Sequence, residues 1–282
     1  MKVTLLTSDS PAQRALAHRI HDEPELDLAG IVVQEVLGTR RWDWIRDTGL
    51  RHPTRLLSKV LQRTVLARPL GEILAAEAER FGHDRPWPPV PLVEVTDVNG
   101  AEAVAFVQST AADVIAVSGT KIVRAPIFAV APARGLLNLH TGISPYVKGG
   151  PNCTLWCLAK GEPQLIGATI HVLDPGIDSG PIVTTAQLDI AGDETPGQLV
   201  AGTTALGHDL YVAALRELAR HGTLRSVPQA TLGEGTTYFT RQWNVVELGR
   251  ALRFVRGGRL RRWVADGRPA PEPPRLVELA AG

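Results

Sequence analysis

The side chains best suited to chemistry in this chain cluster between residues 138 and 178. Asn138 and His140 close an apolar run that holds Leu136, Leu137 and Leu139. That run reads as a strand, and strand residues two apart point to one side. The amide and the imidazole therefore project together. By the same alternation Thr169 and His171 share one face of a later strand. The loop after it carries two carboxylates, Asp174 and Asp178, among Pro175, Gly176 and Gly180. A carboxylate beside His140 would bias the ring towards its charged form. A charged imidazole next to an amide donor can stabilise an oxyanion, and a carboxylate can accept a proton. Taken singly, each residue has a plainer role. A His at a strand end is commonly a structural hydrogen-bonder. Asp174 in a Pro-Gly turn suits turn chemistry, and Asn138 can satisfy backbone groups. The combination is what points to a site.

The elements that must position these groups follow an α/β rhythm. Residues 3–8 and 28–33 read as buried strands, with a helix between them around Leu16, Ala17 and Ile20. Strand, helix, strand at this spacing predicts a mostly parallel sheet with right-handed crossovers. The spacing predicts further helices over 71–81, 101–108 and 195–221, and strands over 90–95, 113–119, 136–140, 166–173 and 181–190. The expected fold class is therefore α/β: a Rossmann-like, mostly parallel sheet flanked by helices. Ligands approach such sheets at the C-terminal ends of strands. That marks Val117, Ser118 and Gly119 as one ligand-facing strand end. Lys148, Gly149 and Gly150 read as a non-repetitive loop able to wrap a substrate.

Two segments interrupt this rhythm. Residues 36–69 read as a basic helical insertion, with Arg40, Arg41, Arg46, Arg51, Arg55, Lys59, Arg63 and Arg68 against Asp43 and Asp47. This is either a solvated helical face or a cationic surface for a phosphate-bearing acceptor. Residues 222–282 read as a small C-terminal appendage and tail. There Arg250, Arg253, Arg256, Arg259, Arg261 and Arg262 space mainly by three, which suits one basic helical face, although Gly257 and Gly258 weaken it. The Trp-bearing insertion and the tail are the candidate surfaces for a homodimer.

Composition narrows the classes. The chain has 282 residues, 44% hydrophobic and 21% charged, which is ordinary for a globular protein. A net charge of +1 makes a bulk polyanion binder a poor fit. Nucleic acid is accordingly not an expected partner. The two cysteines, Cys153 and Cys157, are too few for a disulfide framework or a zinc site, so no metal is expected. They read as buried thiols on a helix, with no activating base evident beside either. No apolar run reaches the roughly 18 residues of a membrane span, and no signal-like segment opens the chain. The expected location is cytoplasmic.

In order, the motif elements are Asn138-x-His140, Pro145, a Gly-containing loop, Gly167-x-Thr169-x-His171, and a loop with Ile177-Asp178-x-Gly180. This series resembles the signature of folate-dependent formyltransferases over residues 112–190. That group includes enzymes acting on glycinamide ribonucleotide, methionyl-tRNA and amino sugars, as well as formyltetrahydrofolate hydrolases. The resemblance makes residues 1–221 the catalytic domain. It implies that Asn138, His140 and Asp178 are the catalytic trio, with Thr169 and His171 in support. It also implies 10-formyltetrahydrofolate as formyl donor, without a metal. Its pterin would be held largely by backbone around Val117, Ser118 and Gly119 and around Asp174 and Gly176. The implied acceptor is a small-molecule amine, with an amino sugar, free or nucleotide-linked, as the leading expectation. The segment from Gly233 to Phe239 is similar to a stretch of some sugar-type members. Hydrolysis of the donor and a methionyl-tRNA-type activity are the alternatives.

Overall fold

The computed structural model describes residues 1–35, 67–150 and 152–280. The expected basic insertion therefore lies almost wholly outside the described residues. Nine strands occur among these residues: β1 (Lys2–Ser8), β2 (Asp27–Gln34), β3 (Leu92–Val95), β4 (Val114–Ser118), β5 (Leu136–His140), β6 (Val147–Gly150), β7 (Gly167–Val172), β8 (Ile182–Gln187) and β9 (Thr236–Phe239). Seven of them form one sheet in the order β3-β2-β1-β4-β5-β7-β8. The first five strands run parallel. β7 and β8 are antiparallel additions at one edge. The mostly parallel α/β sheet expected from the sequence is present.

Helices cover both faces. On one side α1 (Pro11–His21) and the long C-terminal-half helix Pro196–His221 bury Leu16, Ile20, Tyr211, Leu215 and Leu218 against Leu5, Ile31, Leu137, Leu139 and Ile170. On the other side Ala103, Val107 and Ile127, from the helices Ala101–Thr110 and Ala125–Phe128, meet Leu6, Val32, Ile115 and Val117. In chain order the helices after α1 are α2 (Ala67–Phe81), α3 (Ala101–Thr110), α4 (Ala125–Phe128), α5 (Cys153–Lys160), α6 (Pro196–His221), α7 (Val245–Arg256) and α8 (Arg259–Ala265).

The helix ends follow local chemistry. Thr195 caps α6 through a reciprocal box with Gln198, Pro196 opens the first turn, and Gly222 ends the helix in the left-handed conformation at φ 75°. The Arg series expected on one helix is instead split between α7 and α8, because Gly258 at φ 72° breaks the helix between them. Several of these arginines also hold structural contacts. Arg250 pairs with Glu247 at 2.7 Å, Arg256 with Glu72 at 2.8 Å, and Arg259 lies over Phe254.

One expectation about loops changes. Residues 148–150 belong to strand β6, paired in parallel with β9, and do not form an irregular loop. Gly149 has φ +76°, and an added Cβ there would strike the Tyr238 carbonyl. Only glycine permits this approach of the two strands. The segment after residue 222 folds back on the body of the protein. Tyr238, Trp243, Leu248 and Phe254 share one apolar cluster with Val147, Cys153, Trp156 and Ile166.

A buried hydroxyl ties α6 to the sheet beneath the site. The Tyr211 oxygen accepts from the Val117 N–H at 2.7 Å and donates to the Leu137 carbonyl at 2.6 Å. Tyr211→Phe removes both bonds and leaves backbone groups buried without partners. The expected loss is about 1–3 kcal/mol in chemical denaturation. Wild-type stability in that variant would mean that other groups satisfy the two strands.

Candidate functional site

The antiparallel edge assembles the polar cluster. The register of β5 on β7 sets Asn138 opposite His171 and His140 opposite Thr169. Directly opposed residues project to the same face. Four polar side chains thus form two adjacent rungs, on the face away from Leu137, Leu139 and Tyr211. The loop of residues 173–181 leaves β7 beside the start of β5, yet it carries Asp178 back across both rungs. One carboxylate oxygen serves each rung. Asp178 Oδ1 lies 3.4 Å from Asn138 Nδ2 and 3.4 Å from His171 Nε2. Oδ2 lies 3.4 Å from His140 Nδ1 and accepts from the Gly149 N–H at 2.8 Å.

The rings are oriented by their second nitrogens. His140 Nε2 donates to the Val147 carbonyl at 2.9 Å. His171 Nδ1 donates to the Val172 carbonyl at 2.9 Å, which leaves Nε2 to accept from Asn138 Nδ2 at 3.0 Å. Thr169 acts on the backbone: its hydroxyl donates to the Gly142 carbonyl at 2.6 Å and accepts from the Ser144 N–H at 3.0 Å. It thereby anchors the turn after His140. Gly142 must stay small, since a Cβ there would come within 2.6 Å of His140 Nε2.

Charge follows from this enclosure. Burial pulls the His140 pKa down, but the neighbouring Asp178 carboxylate outweighs it, helped by Cys153 and the Val147 carbonyl. The ring is raised from 6.5 to about 10. Burial also pushes the Asp178 carboxyl up. The charge on His140, the contact with His171 and the Gly149 N–H outweigh that and hold it well below the usual carboxylate range. Imidazolium and carboxylate therefore coexist across neutral pH. Because His140 is raised, its contribution to stability is complete below about 6.5 and fades as pH climbs through about 10. Because Asp178 is lowered, its contribution is present above the ordinary carboxylate range and is lost only as pH falls below it.

The structure brings Asn138, His140, Asp178, Thr169 and His171 into one cluster. The remaining sequence-derived candidates take varied roles around it. Asp174 organises its own loop, accepting from the Gly176 N–H at 3.1 Å and the Ser179 hydroxyl at 2.8 Å. The Val117 N–H is occupied by Tyr211, while Ser118 and Gly119 end β4 as expected. Beside these loops Ile122 and Ile177 are exposed apolar side chains. Gly149 joins the cluster through its N–H, and Lys148 and Gly150 flank it on β6.

Sequence reasoning missed three features. Cys153 does sit beside a titratable ring: its sulfur lies 3.8 Å from His140 Nε2 and donates to the Gly149 carbonyl at 3.3 Å. Cys153 and His140 lie on different elements, so their spacing gave no signal. The Val147 carbonyl was not foreseen as the partner of His140. The third is Gln229, which reaches the Asp178 loop from beyond α6.

With this geometry in view, the similarities to known proteins are informative. The family described as formyl transferase matches residues 77–215. Those residues resemble a formyl transferase domain. All five clustered side chains lie inside it. The methionyl-tRNA formyltransferase of Methylobacterium sp. (strain 4-46) is 32% identical over 163 residues, covering 58% of this chain and 49% of that protein. The methionyl-tRNA formyltransferase of Chloroflexus aurantiacus is 35% identical over 109 residues, covering 39% and 34%. The chain spans about half or less of the length of these curated relatives. Among solved structures, phosphoribosylglycinamide formyltransferase from Anaplasma phagocytophilum shares the fold with a TM-score of 0.52 at 16% identity, covering 85% of this chain and 97% of that one. A sugar N-formyltransferase from a Shewanella species does so with a TM-score of 0.53 at 14% identity, covering 89% and 88%.

The charge state of His140 can be read directly. In histidine-labelled protein, nitrogen NMR should show one imidazole that stays protonated until pH approaches about 10. Asp178→Asn should move that midpoint strongly to acid, because burial is then opposed only by Cys153 and the Val147 carbonyl. An unmoved midpoint would mean that Asp178 does not hold the charge.

Proposed function

We propose that this protein moves the formyl group of 10-formyltetrahydrofolate to a neutral amine, with Asn138, His140 and Asp178 as its working residues. The convergence of these three groups within a segment that resembles a formyl transferase domain carries the reading. The reaction is an acyl transfer. The amine attacks the formyl carbon, and negative charge develops on the formyl oxygen in the tetrahedral species. A charged His140 and the half-buried Asn138 amide supply positive potential and a donor for that oxygen. The weakest bond of the amide, 3.4 Å to Asp178, is the one it can redirect. Asp178 keeps His140 charged and can accept the amine's proton directly or through water as the carbon–nitrogen bond to the folate breaks. The folate leaves as tetrahydrofolate, with that nitrogen reprotonated. Exposed Ile122 and Ile177 offer apolar surface to its flat ring, on the two loops expected to hold it.

For the acceptor we favour a small amine of the amino-sugar kind. The fold likeness to the sugar N-formyltransferase, which covers 89% of this chain, supports this, as does the stretch from Gly233 to Phe239. A methionyl-tRNA acceptor is the second reading, supported by the relatives that are 32% and 35% identical.

The deciding assay follows tetrahydrofolate release from 10-formyltetrahydrofolate with no amine, with nucleotide-linked amino sugars and with methionyl-tRNA. Release that depends on an amino sugar, with a formylated product by mass, is the expected result. Dependence on methionyl-tRNA would move the acceptor, and release without an amine would make the protein a hydrolase. His140→Ala and Asp178→Asn should each slow turnover by at least about a hundredfold while leaving the fold intact. Near-normal rates in both would remove the trio from the chemistry.

A further inference from the structure

The Asp178 carboxylate can bridge both rungs only if its main chain is held in an uncommon state. Asp178 has φ 45°, in the left-handed region that a residue with a Cβ adopts at a cost. Such a conformation persists only where surrounding contacts impose it. Asp174 holds the loop from within, through the Gly176 N–H and the Ser179 hydroxyl, and a further set of contacts comes from outside the matched 77–215 domain. Val227 and Ile182 exchange both backbone hydrogen bonds, at 2.8 and 2.9 Å, in an antiparallel bridge. Antiparallel pairing then sets Gln229, two residues on, beside Gly180, two residues back. The Gln229 side chain is buried, with 8% of the residue exposed. Its amide nitrogen donates to the Asp178 carbonyl at 2.7 Å and to the Gly180 carbonyl at 2.8 Å. One planar amide thus spends both hydrogens on two carbonyls that flank the turn.

We infer that Gln229 is a positioning residue, which locks the Asp178 main chain in the left-handed conformation that aims its carboxylate at His140. Without those two donors the turn can relax to an ordinary backbone conformation, and the carboxylate leaves the two rungs. The carboxylate end is held from the same quarter, because Gly149, which donates to it, sits on the strand that β9 pairs with. The charged or titratable groups facing His140 are Asp178 from the loop and Cys153 from α5, with His171 on the far carboxylate oxygen. Of these, only Asp178 has its backbone in the hands of Gln229. The kinetic consequence rests on the formyl-transfer reading, but the effect on His140 does not.

The test uses the full chain with Gln229→Met, which keeps the volume and removes the donors. Gln229→Asn, which keeps the amide but shortens its reach, serves if the first variant folds poorly. The first readout is the nitrogen NMR titration of His140, whose midpoint should fall from about 10 in either variant. The second is steady-state transfer: kcat should drop at least about tenfold at neutral pH with the amine KM little changed, because His140 loses its charge and Asp178 its place beside the amine. An unmoved His140 midpoint in a folded variant overturns the inference, as does an unchanged kcat where the wild-type protein is active. If the wild-type protein transfers no formyl group while the midpoint still falls, the positioning role stands and the proposed reaction fails.

Discussion

A single carboxylate organises this molecule's polar centre. Asp178 spans two rungs of the antiparallel β5–β7 ladder, giving one oxygen to Asn138 and His171 and the other to His140 and Gly149. Each partner is largely withdrawn from water. An isolated charge in that position would be strongly disfavoured, and a broken pair would leave one behind. The arrangement is therefore close to all-or-none. The same enclosure that penalises each charge alone strengthens the attraction between them, and the imidazolium survives well above its ordinary range.

That constraint explains otherwise unrelated features. Gly142 must be small because a Cβ would meet the His140 ring. Gly149 must be glycine because β6 and β9 approach closely where its N–H turns to the carboxylate. Thr169 uses its hydroxyl on the backbone after His140, so the turn that carries the Val147 carbonyl to the ring is fixed. The chain beyond α6 then encloses the centre from outside. Gln229 holds the loop, β9 holds β6, and the Trp156, Tyr238 and Trp243 rings pack behind that ribbon. Formyl transfer asks for such an environment: preorganised positive potential with little freedom to reorganise as charge develops.

Much of this was legible in the sequence. Apolar runs with period two located β5 and β7, and the same alternation put Asn138 with His140 and Thr169 with His171. Helical spacing over 195–221 anticipated α6. Local pattern was sufficient there because neighbours in sequence decide the outcome. It failed where the partner is remote. The glycines at 149 and 150 suggest a loop until β9, more than eighty residues later, supplies a strand to pair with. Nothing in the local pattern sets Cys153 against a titratable ring, yet α5 delivers its sulfur to His140. The arginines of α7 and α8 share a spacing, but the left-handed Gly258 separates them into two helices.

What the sequence determined by itself was the inventory and the local frame: which side chains could do chemistry, which strands carry them and to which side of each strand they point. Periodicity and capping are properties of short segments, and they are settled within those segments. What only the tertiary structure decided was the meeting of the groups. The antiparallel register brought two strands' polar faces into adjacent rungs. The loop of residues 173–181 then doubled back across them, and Gln229 and β9 arrived from beyond residue 222 to hold it there. Register and loop path depend on contacts between segments far apart in the chain, and it is those contacts that turn His140 from an ordinary imidazole into a buried cation.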